Sequence, residues 1–127
     1  METKNKVILI VGVIIFIASV FIVFSPKQEE IGLGEYDEFA KCLSNEGVKI
    51  YGAYWCPHCK NQKEMFGNSW QYVEYIECSL PGGSGQKQVC KDAKINSYPT
   101  WEFKDGERKT GELSFEQLKE KTKCEIN

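Results

Sequence analysis

The sequence has a single histidine, His58, and no run or patch of lysine and arginine, on a 127-residue chain of formal net charge -2. Without clustered positive charge there is no electrostatic footprint for nucleic acid, and no nucleic-acid partner is expected. A second C-x-x-C is also missing. After Cys56 and Cys59 the next cysteines, Cys78 and Cys90, stand far apart, so a zinc ribbon lacks its other half and no metal is expected. Covalent haem would need a histidine directly after Cys59, where Lys60 stands, and no cofactor is expected. There is no internal repeat and no extended low-complexity tract.

What is present in excess is cysteine: six in a chain that has room for one ordinary domain. An even count in so short a sequence suits an oxidising compartment better than the cytosol. The N-terminus agrees. Val7 to Phe24 (VILIVGVIIFIASVFIVF) carries no charge and is interrupted only by Gly12 and Ser19. At about 18 residues it is just long enough to cross a hydrocarbon core as a helix. Lys4, Lys6 and the amino terminus precede it, whereas Lys27 is followed by Glu29 and Glu30, so the N-terminus is the cytoplasmic side. A cleaved signal peptide is the competing reading. The length of the run and the bulky residues ahead of Ser25 and Pro26 favour an anchor. The expected organisation is therefore a cytoplasmic N-terminus (1–6), a transmembrane anchor (7–24), a polar linker (25–34) and one domain (35–127) outside a cytoplasmic membrane crossed once.

Within the domain, Tyr36, Phe39, Ala40 and Leu43 recur at helical spacing before Gly47, which predicts a helix to Asn45. Val48 to Trp55 is an apolar, aromatic run that reads as a buried strand, and a helix should open at Cys56 or Pro57 and reach Phe66. Tyr72 to Glu77 reads as a second strand, Leu80 to Gly85 as a loop and Gln86 to Lys94 as a helix. Asp105-Gly106 joins Thr100–Lys104 to Glu107–Thr110 as a hairpin. Ser114, with Gln117 three residues on, caps a last helix that buries Phe115 and Leu118. The first two strands are each followed by a helix and should lie parallel. The fold class is α/β: a mixed four-stranded sheet covered by helices.

Trp55-Cys56-Pro57-His58-Cys59 falls where a strand gives way to a helix. Cys56 then sits at a helix N-terminus, where unpaired N–H groups and the macrodipole favour a thiolate, the form that attacks a disulfide. Cys59, one turn on, is placed to resolve the mixed disulfide. An isolated C-x-x-C also fits half a metal site or a structural bond, but this strand–helix context favours redox use. His58 is either an ordinary surface residue or, as imidazolium, a further stabiliser of the Cys56 thiolate.

The runs Tyr51-Gly52-Ala53-Tyr54-Trp55-Cys56-Pro57-His58-Cys59 and Glu77-Cys78-Ser79, then Cys90, and Ser97-Tyr98-Pro99-Thr100-Trp101, resemble the thioredoxin-like domain fused to bacterial vitamin K epoxide reductase homologues. The likeness runs from about residue 36 to residue 122. The Cys-Pro-His-Cys site is also similar to that of DsbA-like periplasmic oxidases. The resemblance implies a thioredoxin-like fold with Cys56 and Cys59 catalytic and Pro57, His58 and Trp55 tuning or shielding the site. It further implies a cis Pro99 which, with Tyr98, receives substrate backbone; an ordinary trans proline opening a strand is the alternative. The family pattern pairs Cys78 with Cys90. Cys42 and Cys124 are left for each other, or stay free, or bond a partner. Trp70 and Trp101 read as packing.

Two departures stand out. The chain lacks the multi-helix reductase portion, so a quinone-linked membrane partner resembling vitamin K epoxide reductase would be a separate protein. Six residues before Cys56, where thioredoxins carry a buried acid, this sequence has Ile50. The resemblance implies an oxidase that takes electrons from cysteine pairs of secreted proteins. A reductase or isomerase of the same compartment is the second reading, and a disulfide-stapled binding module the third.

Overall fold

The computed structural model describes residues 1–23 and 33–126. It divides into two units, Met1–Glu30 and Ile31–Asn127. The first holds one helix, α1 (Glu2–Val23). Glu2, Lys4 and Lys6 charge its first turns, and among the described residues no helix is long and apolar enough to cross a membrane. Phe24, the end of the expected anchor, and most of the expected linker lie outside the described residues.

The second unit runs α2 (Asp37–Asn45), β1 (Lys49–Gly52), α3 (Pro57–Phe66), a 3-10 turn (Gly67–Tyr72), β2 (Glu74–Glu77), a short 3-10 turn (Pro81–Gly83), α4 (Gln88–Asp92), β3 (Thr100–Glu102), β4 (Arg108–Thr110) and α5 (Phe115–Thr122). The sheet order is β2-β1-β3-β4. β1 pairs parallel with β2 and antiparallel with β3, and β3 pairs antiparallel with β4. This mixed four-stranded sheet with helices is consistent with a thioredoxin-like fold.

Strand alternation sorts the core. Ile50 is fully buried in one cluster with Phe39 and Leu43 of α2, Phe66 of α3, Trp101 of β3 and Leu118 of α5. Its neighbour Tyr51 belongs to a second cluster with Cys78, Cys90 and Ile95, as expected where successive side chains point to opposite faces. Phe115 stacks edge-on against Phe39 and Phe66, so α2, α3 and α5 meet in one aromatic contact. Gln62 is a polar insert in this core with every polar atom satisfied: Nε2 donates to the Leu113 carbonyl (3.0 Å), and Oε1 accepts from Leu113 N–H (2.7 Å) and Trp101 Nε1 (3.3 Å). These bonds tie α3 to β3 and to the loop before α5.

Local chemistry explains most of the boundaries. Ser114 Oγ accepts from Gln117 N–H while the Gln117 side chain accepts from Ser114 N–H, a complete capping box. Gly106, at φ 81°, supplies the left-handed turn between β3 and β4. β1 stops at Gly52 rather than at Trp55: Cys78 N–H bonds the Gly52 carbonyl, then Cys56 N–H turns back to Ala53. Tyr72, expected in a strand, closes the 3-10 turn, and β2 begins only at Glu74. α4 is shorter than the expected Gln86–Lys94 because Gln86 bridges to Ser79 and its amide bonds Ile95 O and Tyr98 Oη instead. Disulfides join Cys42 to Cys124 and Cys78 to Cys90, with Cα separations of 5.8 and 5.6 Å.

Candidate active site

With four cysteines bonded, Cys56 and Cys59 are the free thiols, each only 5% exposed. Cys56 is the N-cap of α3, and its Sγ accepts from the Cys59 backbone N–H at 3.4 Å. Pro57 holds the first helical position, where its missing N–H costs nothing. The helix end thus directs a backbone donor at the sulfur of Cys56. The Cys56 thiol lies 3.7 Å from the Tyr98 carbonyl, and the Tyr98–Pro99 bond is cis. The strand-to-helix turn and the Tyr98–Pro99 turn therefore meet at one sulfur.

Around that point the surface is aromatic. Trp55 and Tyr54 are half exposed. Trp55 is held by a bond from Nε1 to Ser79 Oγ (2.9 Å) and by edge-on contact with Tyr98, ring centroids 6.0 Å apart. Trp101, in contrast, is fully buried, and Trp70 packs on Phe66 and Tyr75.

His58 is paired with an acid. Its Nδ1 is 2.6 Å from Glu112 Oε1, which also accepts from Asn61 Nδ2 (3.1 Å). Hydrogen bonding from His58, then from Asn61, holds the Glu112 carboxyl below the ordinary carboxylate range. The histidine two residues after Cys56 therefore has its charge, when protonated, matched by a carboxylate. Sequence reasoning missed Glu112, which lies 54 residues from its partner.

Behind Cys59 the packing is close. A Cβ on Gly52 would stand 2.6 Å from Tyr75 Cε2 and 3.0 Å from both Cys59 Sγ and Tyr75 Oη, so only glycine lets β1 pass between them. Tyr75 Oη donates to Glu77 Oε2 at 2.8 Å, and Glu77 Oε1 accepts from Ser79 N–H at 2.8 Å. Cys59, Tyr75 and Glu77 line a cavity of about 290 Å³ with Trp70, Lys60 and Lys63. Burial, with further contributions from Cys56 and Glu77, pushes the Cys59 thiol up to about 12 against a lowering backbone bond from Ala53. Burial and the bond to Glu77 also push the Tyr75 hydroxyl well above its ordinary value. No group of side chains among the described residues could hold a metal ion.

A buried dithiol at the start of a helix, with one sulfur under a helix N-terminus and the other held protonated, is an arrangement suited to thiol–disulfide exchange. No family model matches the sequence. Among curated proteins, the chain is similar to the thiol-disulfide oxidoreductase LTO1 of Arabidopsis thaliana: 41% identical over 87 residues, covering 65% of this chain and 23% of the relative. The chain thus spans about a quarter of that protein's length, and the similarity supports a thiol-disulfide oxidoreductase domain here.

Proposed function

We propose that this chain is a membrane-anchored thiol-disulfide oxidoreductase of thioredoxin-like fold, acting outside the cytoplasm on cysteine pairs of secreted proteins. The observation that carries the reading is the division of six cysteines into two disulfides and one free pair at a strand–helix junction. In the oxidising direction a substrate thiolate attacks Cys56 of the Cys56–Cys59 disulfide and Cys59 leaves. The second substrate thiolate then attacks the substrate sulfur of the mixed disulfide, freeing Cys56. Two electrons pass to the protein, which hands them to a quinone-linked membrane partner resembling vitamin K epoxide reductase. The anchor is supported by the uncharged run Val7 to Phe24 and by exposed apolar side chains from Val7 to Ile17.

One observation favours the opposite direction. The His58–Glu112 pair leaves less net positive charge beside Cys56 than a lone imidazolium would, and a less stabilised thiolate makes a weaker oxidant. The test is to mix the oxidised full-length chain, in detergent, with a peptide carrying two cysteines. The expected result is one peptide disulfide formed for each Cys56–Cys59 pair reduced, with the other two disulfides unchanged. Transfer only in reverse, from the reduced chain to a peptide disulfide, would make it a reductase, and no transfer either way would make it a binding module.

A further inference from the structure

The resolving thiol presents a chemical difficulty. Cys59 must lose its proton to attack the mixed disulfide on Cys56, yet burial keeps that proton in place, and on the face of β1 that Gly52 shares the next residue is Ile50, fully buried among apolar side chains. The acceptor must come from another element.

β2 supplies it. The parallel register sets Gly52 opposite Glu77 and Ile50 opposite Tyr75. Gly52 has no side chain, and Cys59 Sγ and Tyr75 Oη each stand 3.0 Å from the point its Cβ would occupy. Sulfur and hydroxyl are thus no more than about 6 Å apart, a gap that one bridging water spans, in a cavity large enough to hold it. Tyr75 in turn donates to Glu77 at 2.8 Å, and the carboxylate is oriented from its other side by Ser79 N–H. The remaining titratable groups around Cys59 are Cys56, one turn away, and Tyr54, Lys60 and Lys63, which line the cavity.

We propose that Tyr75 and Glu77 form a proton relay serving Cys59. As the Cys59 sulfur attacks Cys56 Sγ, its proton passes through one bridging water to the Tyr75 oxygen and the Tyr75 proton passes to Glu77. The Cys56–substrate bond breaks, the Cys56–Cys59 disulfide forms, and the substrate leaves as a thiolate. In the reverse direction Glu77 returns the proton through Tyr75 to the departing Cys59. The relay rests on the proposed dithiol chemistry of this site and adds to it the group that sets the rate of the second step.

The experiment follows both steps separately. The reduced full-length chain is mixed with excess of a symmetrical aryl disulfide whose thiolate is coloured. Attack by Cys56 releases the first thiolate and resolution by Cys59 the second. Glu77→Gln keeps the shape and the acceptor for Ser79 N–H, and Tyr75→Phe keeps the ring but removes the hydroxyl. Both should leave the first phase unchanged and slow the second by about tenfold to a hundredfold near pH 7, the scale of general-base assistance. The second phase should also rise about tenfold per pH unit in both variants, following the Cys59 thiolate fraction, while the wild-type phase stays nearly flat from pH 7 to 8.5. A second phase of wild-type rate, or one slowed without the steeper pH slope, overturns the relay and leaves the dithiol reading standing. A wild-type chain with no first phase overturns both.

Discussion

A Cys59→Ala chain is expected to accumulate mixed disulfides on Cys56 whose lifetime exceeds that of the wild-type intermediate by on the order of 100-fold or more, since an intramolecular attack carries a large effective concentration. The reasoning starts from the helix. Cys56 keeps its position under the α3 N-terminus when Cys59 is replaced, because the donor to its sulfur is the backbone N–H of residue 59, which alanine retains. Its reactivity survives while the thiol that releases the adduct is gone. The other four cysteines are bonded to each other, so no further free thiol can take that role. Cys56→Ala should trap little, because Cys59 lacks the helix-terminal position, burial pushes its thiol up, and only the thiolate attacks. Non-reducing electrophoresis followed by mass mapping decides the matter. Equal trapping through Cys59, Cys42 or Cys124 would contradict the assignment of roles.

The second large effect concerns stability. The Cys42–Cys124 bond closes the chain over a sequence separation of 82 residues, and Cys78–Cys90 over 12. In the loop-entropy account the long closure is worth about 4.5 kcal/mol and the short one about 3 kcal/mol. Against a total domain stability of roughly 5–15 kcal/mol the first is a large fraction. The location adds to it. Cys124 is buried with Phe39, Leu43 and Leu118, so its bond fastens the end of α5 to α2 over the main core. Replacing Cys42 and Cys124 with alanine should lower the unfolding free energy in denaturant by about 4 kcal/mol, more than the same change at Cys78 and Cys90. A smaller loss at the long bridge than at the short one would contradict this ordering.

Much of the architecture is legible where one local rule acts alone. The spacing of Phe39, Ala40 and Leu43 marks α2, the Ser114–Gln117 box marks α5, and Asp105-Gly106 marks the hairpin. Boundaries drift where composition is ambiguous. Ala53-Tyr54-Trp55 has the apolar, aromatic character of a strand, but the Cys56 N–H to Ala53 bond makes it the turn that delivers the sulfur. Gly67 to Tyr72 has no clear period, and its 3-10 form reflects packing of Trp70 on Phe66 and Tyr75 rather than any propensity.

The candidate site divides in the same way. Cys56 and Cys59 are legible because sequence neighbours remain spatial neighbours in one helical turn. Glu112 and the Tyr75–Glu77 pair are not, because their approach depends on the loop before α5 and on the parallel register of β1 with β2. Glu77 stands in the sequence beside Cys78 without any sign of a role. The absent side chain of Gly52 is what turns that register into a contact with Cys59.

The account's central claim is that one cysteine pair exchanges while the other two hold the fold. It is tested most directly by equilibrating the full-length chain in thiol–disulfide buffers of graded potential, blocking free thiols and mapping the bonds by mass. The account predicts that Cys56–Cys59 opens and closes reversibly over a range of potential in which Cys42–Cys124 and Cys78–Cys90 stay joined. A Cys56–Cys59 bond that resists reduction until the other two have opened would contradict it.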